Sequence, residues 1–272
     1  AQASMPPFMR TPDLADHDTT RLRATMRRYF VDTFDRYESL FECLASDEAF
    51  TIKPIALRHP LIFYFGHTAT FFINKLLLTR MIEQRIDHGL ESMFAVGVDE
   101  MSWDDLDDTH YDWPSVVEVR AYRDKVRAVV KNLIDHAPLQ SPIDWNNPWW
   151  AIIMGVEHER IHLETSSVLI RQHALHHVRP SVAWSPRNDA AVPAPENVLV
   201  RVHAATVTLG KSFDSAQYGW DNEYGHHEAP IQDFQASRHL VSNSEFLEFV
   251  SAGGYRNPHH WAEEGREWLA FS

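Results

Sequence analysis

Four segments with apolar residues at helical spacing fill the first two-thirds of the 272-residue chain, and they constrain the fold more than any other feature. The first is predicted over 19–44, with Leu22, Met26, Phe30, Phe34, Tyr37, Leu40 and Phe41 on one stripe. The second spans 60–82 and opens on Pro60, a residue suited to a first helical turn. The third follows Pro114 and carries Val116, Val119, Tyr122, Val126, Val129, Val130 and Leu133. The fourth follows Pro148 and continues to about residue 175. Helices of this kind must bury their stripes against one another, and an antiparallel-type four-helix bundle does so. The 83–113 connection is long, acidic and Trp-containing, and a loop of that length is more often functional than idle.

After His177 the pattern changes. Prolines at 180, 186, 193 and 195 break any helical period, which predicts a linker or wrapping segment over 178–197. From 198 the chain reads as strand, with Val198, Val200 and Val202 alternating and Val207-Thr208-Leu209 ending at Gly210. A helix is expected from about Ser242 to Val250. The predicted fold class is mainly α, a bundle over 1–177 followed by the start of an α+β domain over 198–272. Too little chain remains to enclose a second core, so the sequence reads as the front part of a longer polypeptide.

The bulk numbers exclude several classes. A formal net charge of −13 argues against nucleic acid, whose phosphates require clustered Lys and Arg. Cys43 is the single cysteine, so no intrachain disulfide is possible, which fits a reducing cytoplasm. Residues 1–11 lack a basic run followed by an apolar core, so no secretory signal is expected there. The apolar stretch 60–78 is interrupted by His67, Asn74 and Lys75 and reads as a buried helix, not a membrane span.

Chemistry concentrates in Glu157-His158-Glu159-Arg160-Ile161-His162-Leu163-Glu164. Histidines four apart stack on one helix face, and two neutral imidazoles on a rigid face form half of a transition-metal site. Ala151, Gly155, Thr165 and Leu169 share that small, apolar face with His158 and His162, within about 60°. Arg160 and Glu164 lie elsewhere and are expected to pair as i, i+4 partners on the solvated side. A third ligand must come from another helix, and His67, on a stripe with Phe63, Tyr64, Phe71, Asn74 and Leu78, is the best candidate. Taken alone, His67 is either a metal ligand or a hydrogen-bonded core histidine. The rival pair His173/His177 sits at a helix end, where polar side chains suit the dipole. Glu164 points about 120° away from His158 and is at best a surface group or an outer partner of the site. Three histidines admit Zn²⁺ or Fe²⁺, and ligand type does not choose between them.

The pattern His158-x₃-His162-x-Glu164, with His67 in Phe65-Gly66-His67-Thr68, resembles the three-histidine iron site of the sulfoxide synthases of thiol-histidine biosynthesis. These enzymes have a DinB-like bundle followed by a domain similar to formylglycine-generating enzyme. The second-domain resemblance rests on Gly219-Trp220-Asp221-Asn222-Glu223, His226-His227-Glu228-Ala229-Pro230 and the stretch from Ser237 to Tyr255. The 91–106 segment, beginning Glu91-Ser92-Met93-Phe94, and Met154-Gly155-Val156-Glu157-His158 look like the ovothiol branch, 5-histidylcysteine sulfoxide synthase. The ergothioneine branch, acting on trimethylated histidine, shares the triad. The resemblance implies an Fe²⁺ enzyme with ligands His67, His158 and His162 that joins the sulfur of L-cysteine to the imidazole of L-histidine using O₂. It implies catalytic groups beyond Ser272. Tyr64 and Asn74, on the inner face of His67, are substrate-contact candidates. A zinc-dependent thiol transferase or hydrolase of the DinB-like type is the alternative outside this family. No nucleic acid or membrane partner is expected.

Overall fold

The computed structural model describes residues 8–95, 111–184 and 193–271. It is mainly α. Eight helices occur among these residues: α1 (Thr19–Leu40), α2 (Glu48–Thr51), α3 (Leu61–Leu78), α4 (His88–Met93), α5 (Val116–His136), α6 (Trp150–Arg171), α7 (Asn243–Ser251) and α8 (Glu263–Phe271). Four strands, β1 (Leu199–Val202), β2 (Ala205–Leu209), β3 (His227–Ile231) and β4 (Phe234–Ser237), form two antiparallel pairs, β1 with β4 and β2 with β3.

Two of the four long helices, α1 and α5, start where a side chain satisfies their free N–H groups. Asp18 accepts from the Thr20 and Arg21 N–H groups at the head of α1. Ser115 and Glu118 form a reciprocal capping box on α5. The ends fall short of the predicted ones. The first helix stops at Leu40, not 44, because Phe41–Cys43 tightens into a 3₁₀ turn and Leu44 goes extended to bridge Val178. The second stops at Leu78, because Arg80 takes a left-handed φ of 57° and the chain closes through Met81 N–H to the Leu76 carbonyl. The fourth stops at Arg171, and 175–177 forms a separate 3₁₀ turn.

The chain divides into two compact units. The first comprises 1–186 with 214–221 and the second 187–213 with 222–272. In the first unit α3 packs against α6 and α5, and α1 packs against α6 and α5. Residues 178–184 lie on the bundle: Arg179 N–H bonds the Cys43 carbonyl, and Trp184 Nε1 donates to Ser39 Oγ. The short segment 214–221 joins this unit, with the Tyr218 ring tilted against Trp150 at 4.8 Å and the Ala216 carbonyl bound by Leu14 N–H. The second unit holds the two strand pairs, α7 with a Ser242–Glu245 capping box, and α8.

Among the described residues α3 is the helix long and apolar enough to cross a membrane, yet 67% of it is buried inside the bundle. That burial assigns its apolarity to a core. Two apolar clusters flank its middle. One is built on Phe30, Phe72, Trp149 and Ile152, the other on Tyr37, Phe41, Phe65 and Phe94.

A buried ion network lies at the level of the middle turns. Arg123 of α5 is fully buried and donates to Glu38 Oε1 at 2.9 Å, Glu159 Oε1 at 2.8 Å, the Phe65 carbonyl at 2.8 Å and Thr68 Oγ1 at 2.9 Å. Burial works against its charge, and the carboxylates of Glu159 and Glu38 outweigh that, so its pKa is raised. Arg123→Met should cost about 3–5 kcal/mol in urea unfolding, because it leaves the Glu159 charge buried without its counter-ion. The double variant Arg123→Met/Glu159→Met should recover most of that loss.

Candidate metal centre

The middle turns of α3 and α6 bring His67, His158 and His162 together. His67 Nε2 and His162 Nε2 each lie 3.2 Å from His158 Nε2. Among the described residues this is the one group of three or more His, Cys, Asp or Glu side chains spaced to hold a metal ion. His67 and His158 are buried, and His162 is half-buried.

The close approach of the elements has a local cause. Gly66 lets the Phe94 ring lie where a Cβ would stand only 2.4 Å away, and Gly155 does the same for the Phe72 ring at 2.3 Å. Phe94, just past α4, then places its backbone carbonyl 2.7 Å from His67 Nδ1. A carbonyl only accepts, so Nδ1 carries the proton and Nε2 turns its lone pair toward His158. Phe71 stacks flat on His158, with centroids 3.7 Å apart and planes at 9°, and Phe63 stacks on His67 at 5.2 Å.

These surroundings keep His158 and His162 neutral. Burial, then the neighbouring His162 and His67, then Lys75, hold the His158 pKa well below 6.5. Burial and His67 hold His162 at about 3. A neutral His158 has a proton problem: one Nε2 proton serves well only one of its two 3.2 Å contacts. A cation at the centre satisfies all three lone pairs at once. At metal–nitrogen bonds of about 2.1 Å, neighbouring ligand atoms stand ~3.0 Å apart in an octahedral set and ~3.4 Å apart in a tetrahedral one. The two 3.2 Å separations lie between them and all three ligand atoms fall within 4.8 Å of one another, so the residues fit a metal without selecting Fe²⁺ or Zn²⁺.

The other sequence candidates fall at different distances from this centre. Tyr64 places its ring 5.8 Å from the His162 ring, and burial pushes its phenol pKa up. Asn74 lies two turns beyond His67, with its Oδ1 accepting from Arg85 Nη1 at 2.8 Å. His173 and His177 have rings 5.5 Å apart but gather no third ligand among the described residues. Glu164 is exposed. The expected Arg160–Glu164 pair does not form. Arg160 turns instead to the Met9 carbonyl at 3.0 Å and stacks over Tyr29, because an aromatic face and a half-buried carbonyl lie within its reach. Most of the 91–106 segment (96–106) lies outside the described residues, as does His110.

Sequence reasoning missed Glu159, Arg123, Thr68 and the Phe94 carbonyl. Glu159 follows His158, Thr68 follows His67, and Thr68 Oγ1 donates to Glu159 Oε1 at 3.1 Å. A signal for the charged pair existed. Arg123 stands at i+4 from Val119 and i−3 from Val126, and Glu159 at i+3 from Val156 and i−4 from Leu163. Each is a charge on an apolar stripe.

Two outcomes follow for the protein without metal. His158 and His162 stay neutral when folded, so below pH ~6.5 the unfolded chain binds protons that the folded chain refuses. Stability should therefore fall as pH drops from about 6.5 to 5, and His162→Gln should flatten that fall by about 1–2 kcal/mol in urea titrations. Gly66→Ala should displace Phe94 and free His67 Nδ1, weakening metal affinity about ten- to a hundredfold in competition with a chelator.

Comparison with known proteins places the fold. The family model of the DinB superfamily matches residues 29–166, half of the chain, including all three histidines. The chain is 27% identical over 246 residues to ergothioneine biosynthesis protein 1 of Neurospora crassa, covering 82% of this chain and 28% of that protein. It is 27% identical over 148 residues to hercynine oxygenase of Mycolicibacterium smegmatis, covering 54% of this chain and 32% of that protein. A Schizosaccharomyces pombe ergothioneine biosynthesis protein 1 is 22% identical over 251 residues, covering 77% and 31%. The chain thus spans less than a third of the length of these curated relatives. With that model matching 29–166, a span that takes in most of the four long helices and all three clustered histidines, the chain belongs to the DinB superfamily.

Proposed function

We propose that the first unit is the iron-binding part of a non-haem iron, O₂-dependent sulfoxide synthase. What carries the reading is the cluster of three imidazoles in a chain similar to an ergothioneine biosynthesis protein and a hercynine oxygenase. His67, His158 and His162 would hold Fe²⁺ through Nε2. The ion would supply O₂ activation and positions at which the substrates meet in one coordination sphere. The overall reaction joins a thiol S–H and an imidazole C–H with O₂, giving a C–S bond, a sulfoxide oxygen and one water.

The protein's own contribution is positional. The Phe94 carbonyl fixes the His67 tautomer and ring plane. Phe71 and Phe63 wall two of the imidazoles and exclude water from their faces. The Thr68–Glu159–Arg123 network anchors the residues next to His67 and His158, so the two helices present their ligands at a set separation. Tyr64 beside His162 and Asn74 beyond His67 are our candidates for contacts with substrate.

The thiol donor in this reading is L-cysteine. For the acceptor, the name of the mycobacterial relative supports hercynine, a trimethylated histidine. The likeness of 91–106 and 154–162 to the ovothiol branch supports L-histidine as a second reading. The segments 219–230 and 237–255 support reading the second unit as part of a domain similar to formylglycine-generating enzyme.

The test is anaerobic reconstitution with Fe²⁺, then O₂ with cysteine and an equimolar mixture of hercynine and histidine, read by O₂ uptake and product mass. A C–S sulfoxide of one acceptor is expected. Zinc in place of iron, or turnover independent of O₂, would support a thiol transferase or hydrolase instead. His67→Ala, His158→Ala and His162→Ala should each lower iron affinity by about a hundredfold or more.

A further inference from the structure

The face of α3 that carries His67 continues toward the C-terminal end of the helix and ends in a cation. Tyr64 lies against His162, Phe71 lies flat on His158, and Lys75 Nζ stands 5.0 Å over the Phe71 ring. Lys75 is therefore layered on the aromatic that itself covers one histidine of the centre. Its stem is half-buried there, which holds the ammonium near the cluster and not free in solvent. In a chain of net charge −13, no carboxylate among the described residues forms an ion pair with it.

Asn74 adds a second donor. Arg85 Nη1 donates to Asn74 Oδ1 at 2.8 Å and to Glu91 Oε2 at 2.9 Å. A guanidinium has no acceptor, so this bond fixes which end of the amide faces Arg85 and leaves the Nδ2–H pair for another acceptor. Arg85 is itself neutralised by Glu91, whose other oxygen takes the Ile86 and Asp87 N–H groups. Of the three groups, Lys75 keeps its charge uncompensated and Asn74 keeps its donors.

Every amino acid considered as substrate carries an α-carboxylate, whatever its thiol or ring. We propose that Lys75, assisted by Asn74 Nδ2, binds the α-carboxylate of an amino-acid substrate whose reactive end meets the three-histidine centre. This rests on the sulfoxide synthase reading above. It assigns the C-terminal half of the α3 face to substrate orientation, with Phe71 as the floor between the carboxylate and the metal.

The experiment uses the full chain loaded with Fe²⁺ under anaerobic conditions, titrated calorimetrically with L-cysteine against cysteamine and with L-histidine against histamine. The amines lack the carboxylate and keep the metal-binding end. Lys75→Met preserves the stem over Phe71 and should weaken one of the two acids by roughly tenfold or more while leaving its amine unchanged. Lys75→Arg should retain most of the acid's preference, and iron content and thermal unfolding should match wild type in both variants. The acid that loses affinity identifies which substrate occupies the subsite. An acid-to-amine ratio unchanged by Lys75→Met for both pairs overturns the carboxylate subsite and leaves the synthase reading intact. A wild-type iron-loaded chain that binds none of the four ligands overturns that reading and the subsite with it.

Discussion

The structure depends on one buried guanidinium. Arg123 reaches from α5 to Glu38 on α1, to the Phe65 carbonyl and Thr68 on α3, and to Glu159 on α6, so a single side chain touches all four long helices. Its positive charge also lies over the rings of Phe34, Tyr37 and Phe65, at 4.2 to 5.2 Å from their centroids. Apolar packing alone tolerates sliding of one helix along another, because many registers bury similar area. A charged group with four named acceptors does not. Since Thr68 and Glu159 each neighbour a histidine of the cluster, the register fixed by Arg123 is also the register of the candidate metal centre.

The bundle and its histidines were legible because both rest on local periodicity. A stripe at 3.6-residue spacing reports which face is buried, and the spacing of four between His158 and His162 reports a shared direction. His67 was reachable by the same logic, as a polar residue on an apolar stripe. The groups that hold the histidines in place were not. The bond from His67 to the Phe94 carbonyl joins residues 27 apart, and backbone carbonyls leave no mark in sequence. Arg123 and Glu159 were visible as charges on apolar stripes, but only their pairing across helices explains them. In the second unit, β3 opens on His227-Glu228 and carries Pro230, so it lacks the run of alternating valines that marked β1.

The imidazoles show why burial and metal chemistry suit one another. The desolvation that depresses the pKa values of His158 and His162 is unfavourable for a proton and indifferent to a lone pair. A site that repels protons in this way keeps its ligands available across ordinary pH without a carboxylate to hold them. It also leaves the net charge of a bound divalent ion uncompensated by its ligands, which favours anionic groups nearby.

The docking of Phe94 onto Gly66 has a consequence for how such a centre is assembled. His67 presents a directed lone pair only while Phe94 is docked on Gly66, so the third ligand is conditional on a contact made outside the two ligand-bearing helices. By linkage, an ion that binds the docked arrangement more tightly than the undocked one stabilises the docked arrangement by the same factor. Occupancy of the centre and docking of Phe94 on Gly66 are then coupled, each favouring the other. A ligand that disturbs either one is felt at the other.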